Sequence, residues 1–561
     1  MPENNSTLVA GSPRFADKRL ASLAKEQGAL SAWREALQSG SFDAIRILSN
    51  ISGDFAVGLT EPGGRTVLAV DRFAIQPMCY RVKGGQIHFA SRADELADEN
   101  PEIDPQAIFD YLYFHVIPSP RTIYKDIFRL APGNFAVFEN GELTVAPYWV
   151  PSFKEQSNVS FGALKDEFLD LLQTAVTTQL GAGKPACFLS GGTDSSTIAG
   201  MLARASQQQA SSYSIGFDAQ GYDEMEYARL AARHFKIDHH EYYVTPDDLV
   251  RSIPAVAAHF DQPFGNSSAL PAYYCARMAH DDGVSKLMAG DGGDELFGGN
   301  TRYAKQRVFN WYQRVPQGLR EALLEPISGV QLVNRIPLLR KAASYVNQAK
   351  VEMPDRLMTY NLLFRLGTEE MLSPALLAQV DQLDPARQQR EVWAQVDGKA
   401  SLVNKMLAFD WRYTLAECDL HKVMGTSQMA GVDVGFPMLD DRLLAFSERL
   451  PTAYKLKGFK LRWFFKEALR GFLPDEILSK KKQGFGLPFG VWANQTPALK
   501  ALAKNSLESL AARGVVRADF VQTLLNDRLP EHPGYYGEMV WILTMLEQWL
   551  AAKAPNFKVL G

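Results

Sequence analysis

The chain has 561 residues, 46% hydrophobic, 22% charged and 11% aromatic, a length that calls for two or more domains and a composition that supports buried cores. Its formal net charge of −4 gives no general basic field, which speaks against nucleic acid or an anionic membrane as partner. Four scattered cysteines, Cys79, Cys187, Cys275 and Cys418, form no CxxC pair, so neither a disulfide framework nor a zinc site is expected.

In chain order, the opening "MPENNSTLVAGSPRF" lacks signal-peptide order, and no run approaches the ~20 apolar residues of a membrane helix; a cytoplasmic protein is expected. Lys18 to Leu37 reads as helical. Residues 53–150 then carry short β-rich runs, "FAVGLT", "RTVLAVD", "MCYRV" and "QIHFA", separated by turn residues. "NFAVFENGELTVAPYW" predicts a hairpin, because Asn140-Gly141 suits a tight type I′ turn. Residues 1–150 are therefore expected to form an antiparallel, β-rich domain, with 151–160 as a linker. From 161 to 555 the pattern changes. "FGALKDEFLDLLQTAVTTQL" and "MEYARLAARHF" have helical periodicity, while "PACFLS", "SSYSIGF", "HHEYYVT" and "SKLMAG" read as short strands. Strands alternating with helices predict a doubly wound parallel sheet, followed beyond Arg302 by a mostly helical extension.

"FLSGGTDSST", Phe188 to Thr197, leaves one such strand and opens a helix. A turn of this kind presents free backbone N–H groups at the positive end of the helix. Gly191 and Gly192 let the backbone approach an anion closely, and Ser190, Ser195, Ser196 and Thr197 add hydroxyls. Asp194 suits a Mg²⁺ ion bridging phosphates better than a phosphate itself. A glycine turn with serine caps is the plain alternative. A Walker-type loop is excluded, since no GxxxxGK[ST] occurs. "MAGDGGDELFGGN", Met288 to Asn300, follows a second strand, and Asp294 there is a candidate second metal carboxylate. Taken alone, the stretch reads equally well as a helix cap with acidic first-turn residues. Two such turns at the carboxyl edge of one sheet favour the binding reading.

Ser190-Gly191-Gly192-Thr193-Asp194-Ser195-Ser196 resembles the SGGxDSS loop of the N-type ATP pyrophosphatases. With "GDGGDELFGG", "KKKQGFGLP", "FGNSSALPAYYCAR" and "GFPMLDDRLLAFSERLP", and with "GDFAVGL", "AVDRFAIQPMCYR" and "FASRADEL" earlier, residues 50 to 490 resemble the asparagine synthetase family. The resemblance implies an Ntn-amidotransferase-like αββα domain ahead of an ATP-pyrophosphatase domain. It implies a ligase that uses ATP and Mg²⁺ to adenylate a carboxylate, releases pyrophosphate and AMP, and lets an amine attack. Ile215, Gly216, Phe217 and Gly290 are then candidates for an adenine slot. Arg462, with Lys460 two residues earlier, falls at the register of the family's pyrophosphate-neutralising lysine, and either residue fits that role. Asp291 stands where asparagine-forming members carry glutamate and is a candidate to orient or deprotonate the amine. Glu417, Asp419 and His421 in "AECDLHK" are further base candidates.

Two departures redirect the function. The family's glutaminase cysteine follows the initiator methionine, whereas Pro2 stands here and the first cysteine is Cys79, so glutaminase activity is not expected. The family's "KVDRxSM" segment reads "KVMGTSQM": Lys422 and Ser427 remain, but Met424 and Gly425 replace an acid and an arginine, and Gly435 replaces a later arginine. Losing two guanidinium clamps argues against free aspartate and predicts a larger, less charged pocket. Members that discard the glutaminase, such as β-lactam synthetases, carbapenam synthetases and lasso-peptide cyclases, use an amine already in the substrate. The β-lactam formers carry tyrosine where Asp291 stands, which argues against that branch. The expectation is an amide-bond former acting on a small-molecule or peptide carboxylate. Ammonia-dependent asparagine synthesis and a non-catalytic scaffold are the alternatives. A homodimer and partner proteins of a biosynthetic cluster are left open.

Overall fold

The computed structural model describes residues 6–37, 43–313, 315–320, 345–480 and 486–559. The N-terminal part runs β1 (Thr7–Gly11), β2 (Arg14–Phe15), α1 (Lys18–Gln27), α2 (Ala29–Leu37), α3 (Ala44–Ser49), β3 (Ile51–Ser52), β4 (Phe55–Thr60), β5 (Thr66–Val70), β6 (Cys79–Lys83), β7 (Gln86–Ala90), α4 (Pro105–Phe114), β8 (Phe128–Arg129), β9 (Asn134–Glu139) and β10 (Glu142–Pro147). One sheet has the order β1-β4-β5-β9-β10 and a second β7-β6-β8, all antiparallel, with β2 paired to β3.

Strand alternation builds four layers from these elements. Phe55, Val57, Val67, Ala69 and Phe135 turn toward the helices, where Trp33, Leu37 and Leu48 bury. Their neighbours Ala56, Leu68, Val70, Ala136 and Phe138 pack on Met78, Tyr80 and Phe89 of the second sheet. Cys79 and Ala90 face α4 on the far side. The result is the expected αββα arrangement. The hairpin turn is as read, with Asn140 at φ 53° and Gly141 at φ 83°. β1 and α4 were not legible beforehand: seven of the ten residues of α4 are buried, so its sequence lacks an amphipathic stripe. Residues 151–160 are pinned by Glu155, which accepts from Asn404 Nδ2 at 2.8 Å and Thr452 N at 2.9 Å.

The second part opens on α5 (Phe161–Gln179), β11 (Ala186–Phe188), α6 (Thr193–Ala205), β12 (Ser211–Phe217), α7 (Met225–Phe235), β13 (Asp238–Val244), α8 (Pro246–His259), α9 (Ala269–Asp281), β14 (Lys286–Met288) and α10 (Gly293–Phe297). Strand β15 (Asp433–Gly435) and the hairpin β16 (Leu456–Lys457)–β17 (Lys460–Leu461) come much later, among helices. The sheet order is β13-β12-β11-β14-β15 and every pair is parallel. Cys187, Leu189 and Met288 pack toward α5 and α6, while Ala186, Tyr213 and Leu287 pack toward α8 and α9. Helices thus cover both faces, as a doubly wound sheet requires. β15 escaped the sequence reading because a three-residue strand shows no periodicity. The strand order reverses between β11 and β14, which sets the turns after those two strands side by side.

The two parts are joined by polar contacts, buried at Tyr111 and half-buried at Asp441. Arg72 Nη1 donates to Asp441 Oδ1 at 2.5 Å, Gly53 N donates to Asp441 Oδ2 at 2.7 Å, and Tyr111 Oη donates to the Ile542 carbonyl at 2.8 Å. Among the described residues no helix is long and apolar enough to cross a membrane.

Candidate active site

Four residues link β11 to α6, and their own polar groups shape the turn. Ser190 N donates to Ser195 Oγ at 3.1 Å, and Gly192 N donates to Ser190 Oγ at 3.3 Å. Gly191 sits at φ 71°, where a Cβ would lie 2.6 Å from Ala228 N. The turn after β14 leans on the first: a Cβ on Gly290 would lie 2.7 Å from Ser195 N. Only glycine allows that approach.

Arg462 joins the two turns. It precedes the helix Trp463–Ala468 in a left-handed conformation, φ 52°, which aims its side chain back at the sheet edge. Nη1 donates to Asp194 Oδ2 at 2.9 Å and to Asp294 Oδ1 at 2.6 Å, Nη2 bonds Asp194 Oδ1, and the guanidinium lies 4.0 Å over the Phe465 ring. Burial works against the charge of Arg462, yet Asp194 and Asp294 outweigh it and hold the guanidinium above its ordinary value.

A cavity of about 1280 Å³ opens at this edge. Ser190, Gly192, Thr193, Asp194, Ser195, Ile215, Gly290, Asp291, Asp294, Lys460 and Arg462 all line it. Five expected site residues do not. Gly191 shapes the turn from behind, and Ser196 is buried within α6. Gly216 faces the Tyr243 ring, while Phe217 packs 6.1 Å from Trp492. Phe188, Ile215, Pro271 and Ala272 supply the apolar wall instead. Glu417 is the fifth. It is buried against Arg129 (2.7 Å) and Ser119 (2.6 Å), with Arg412 beside it, and its carboxylate is committed there. His421 is likewise no base at the cavity: burial, Arg129 and Arg412 push its imidazole well below the ordinary value.

Three charged residues cluster in the cavity lining. Lys422 Nζ lies 2.9 Å from Asp419 Oδ1 and 3.9 Å from Asp291 Oδ1. Burial pushes Asp291 up to about 6 against the opposing pull of Lys422, and Asp419 adds to the rise. Burial opposes the charge on Lys422, yet Asp419 and Asp291 hold it above its ordinary value. Gly425 and Gly435 open no extra space beside this wall. A Cβ at Gly425 would lie 2.5 Å from the Phe260 ring, and Gly435 is held in β15 beside Met288. The expected enlargement at Gly425 is thus taken up by Phe260.

Sequence reasoning missed two further cations in the lining. Lys466 sits one helical turn beyond Arg462, a spacing that could have flagged it, and burial together with Arg462 lowers its pKa. Lys480, first of "KKKQGFGLP", pairs with Glu224 at 2.8 Å and lies 4.3 Å over the Tyr227 ring. Residues 481–485 of that motif lie outside the described residues, as does the Met1-Pro2 start. Cys79 is fully buried in β6, and burial pushes its thiol up, so it is no exposed nucleophile.

Comparison with known proteins decides the family. Residues 167–551, well over half of the chain, match the family described as Asparagine synthase, and residues 43–149 match the Glutamine amidotransferase domain. The chain belongs to the asparagine synthase family. It is 25% identical to "Asparagine synthetase [glutamine-hydrolyzing] 1" of Bacillus subtilis, over 86% of this chain and 74% of that one. It is 25% identical to a putative asparagine synthetase of Mycobacterium tuberculosis, over 80% of this chain and 68% of that one. It is also 22% identical to "Amidase chyE" of Penicillium rubens, over 83% of this chain and 74% of that one. By family it is an asparagine synthetase-like, ATP-dependent ligase. Every residue lining the cavity falls within the asparagine synthase match, whereas Ser119 and Arg129 fall within the amidotransferase match.

Proposed function

We propose that this asparagine synthetase-like chain adenylates a carboxylate with ATP, releases pyrophosphate and AMP, and joins the acyl group to an amine that it does not make by hydrolysing glutamine. The carrying observation is the meeting of the two glycine-acidic turns around Arg462 at the mouth of one cavity. Backbone N–H groups of the first turn and the Arg462 guanidinium offer donors to a departing pyrophosphate, and Lys460, Lys466 and Lys480 add positive charge around it.

Among the described residues no group of three His, Cys, Asp or Glu side chains could hold a metal by itself. Two facing carboxylates fit Mg²⁺, which takes one or two from protein and completes its shell with phosphate oxygens and water. Asp194 and Asp294 would hold it, and bound there it would neutralise phosphate charge. In the same cavity Asp291 would orient the amine and accept its proton, its carboxyl pushed by burial up to about 6.

The acid and amine are proposed to belong to a secondary metabolite or peptide, joined within one molecule or between two. The loss of arginine at Gly425 and Gly435 supports this, because no guanidinium from either position reaches the cavity. The names of the bacterial relatives favour a second reading, asparagine formation from aspartate and ammonium. The Penicillium relative is named an amidase, so kinship this distant does not fix the product.

A pyrophosphate-release screen over amino-acid, peptide and metabolite acids, each with and without an amine and with an aspartate–ammonium arm, tests the proposal. Release is expected from a non-aspartate acid and is expected to fall at least ~100-fold in Asp194→Ala. Robust asparagine formation would favour the second reading. Equal release by Asp194→Ala would remove the site, and no release in any arm would favour a scaffold that keeps only the fold.

A further inference from the structure

Glu417 lies two residues before Asp419 and five before Lys422, in a π-helical turn, Trp411–Asp419, that leads into the helix Leu420–Ala430. π-Helical turns are uncommon and occur frequently at functional sites. Here the turn is gripped at four points by the amidotransferase-like half. Trp411 packs on Phe73 and Trp149, with ring centroids 6.3 Å away in both cases. Tyr413 stacks on Phe114 at 5.3 Å with the rings 1° from parallel. Arg412 Nη2 donates to the Ser119 carbonyl at 2.6 Å and to its Oγ at 2.9 Å. Glu417 accepts from Arg129 Nη2 at 2.7 Å and from Ser119 Oγ at 2.6 Å, and pairs with Arg412.

The side chains of Glu417 and Arg129 are 2% and 6% exposed. A buried carboxylate with two guanidiniums holds its geometry tightly, because any displacement leaves an unpaired charge out of water. That charge cluster neither lines the cavity nor reaches it. The helical turn that it holds continues directly into Asp419 and Lys422, which form the cavity wall with Asp291.

We propose that Glu417 is a positioning residue through which the amidotransferase-like half, by Ser119 and Arg129, fixes the π-helical turn and so sets the Asp419–Lys422–Asp291 wall at which the amine is received. The amidotransferase-like half thereby serves as a brace for the ligase site. The assignment of the amine to this wall rests on the ligase reading above; the brace itself does not.

The test uses the full chain and three variants: Glu417→Gln, which removes the charge and keeps the shape; Arg129→Lys, which keeps the charge and loses the fork; and Ser119→Ala, which removes only a hydroxyl. Cys418 lies between Glu417 and Asp419 and accepts from Asn266 Nδ2 at 3.2 Å, so its alkylation by iodoacetamide reports on the turn, with fully buried Cys187 as internal control. Calorimetry with the non-cleavable α,β-methylene-ATP and Mg²⁺ reports on the nucleotide side. Pyrophosphate release with the acid and amine fastest in the screen gives kcat/KM for the amine and KM for ATP. Glu417→Gln and Ser119→Ala are expected to speed Cys418 alkylation and to lower amine kcat/KM by about tenfold or more, while α,β-methylene-ATP affinity and KM for ATP stay within about twofold. Arg129→Lys should fall between wild type and Glu417→Gln. Unchanged Cys418 alkylation in folded Ser119→Ala would overturn the brace. So would nucleotide affinity falling in step with amine kcat/KM. If Glu417→Gln does not fold, Ser119→Ala and Arg129→Lys decide. If wild type releases no pyrophosphate with any pair, the ligase reading fails while alkylation and calorimetry still judge the brace.

Discussion

Asp291 carries two opposed consequences of one environment. Its carboxyl is pushed up to about 6 from 3.8, so the folded state binds a proton more tightly than the unfolded chain between those values. Stability attached to that proton is present at low pH and is lost as pH rises through 6. The ionised group therefore costs stability at neutral pH, where the proposed function uses it as a base. Amide formation is expected to rise with pH along a limb centred near 6, and Asp291→Asn should remove the limb and most of the turnover. The same variant should be more stable at pH 7, by ~1–3 kcal/mol, when unfolded in urea. A fall in both activity and stability would instead mark Asp291 as a structural partner of Lys422. That Asp194 and Asp294 meet at one site could be read from the sequence, because both stand in glycine turns that follow strands. Glu417 could not be separated from Asp419: both stand in "AECDLHK", and only the π-helical turn decides which of them faces the cavity.

The turn between β11 and α6 works because one residue combines a left-handed backbone, which side chains disfavour, with a contact that leaves no room for a Cβ. Gly191 at φ 71° lets the chain reverse beneath α7, with Ala228 N and the Tyr227 Cβ 2.6 and 2.7 Å from where a methyl would stand. Gly191→Ala forces a left-handed alanine, about 1–2 kcal/mol, and adds a clash against backbone. Affinity for α,β-methylene-ATP is expected to weaken at least ~tenfold with the N-terminal sheets intact, measured by calorimetry and by hydrogen exchange over residues 55–90. Unchanged affinity would place the nucleotide elsewhere. Elements with a clear period, such as α5 and α7, were legible in the sequence because burial on one side leaves a repeating trace. α4, β15 and the β16–β17 hairpin were not. The first is buried nearly all round and the others are too short to repeat, yet the hairpin delivers Lys460 and Arg462 to the site.

Across the whole molecule, the parallel sheet gathers Asp194, Asp294 and Arg462 from positions 168 and 268 residues apart. The αββα half holds Glu417 through Arg129 and Ser119, and by the inference above braces the Asp419–Lys422–Asp291 wall. The two-part layout was visible in composition and turn pattern, but the contacts between the halves were not, since Arg129–Glu417 and Arg72–Asp441 join residues with no local signature. The chemistry assigned to this arrangement is cleavage of ATP between its α- and β-phosphates. Phosphorus NMR of the nucleotide products, with the most active acid from the screen, tests that directly. AMP and pyrophosphate should appear in equal amounts, only with acid present, and neither should form with Asp194→Ala. ADP and orthophosphate as the products, or AMP and pyrophosphate formed equally well by Asp194→Ala, would contradict it.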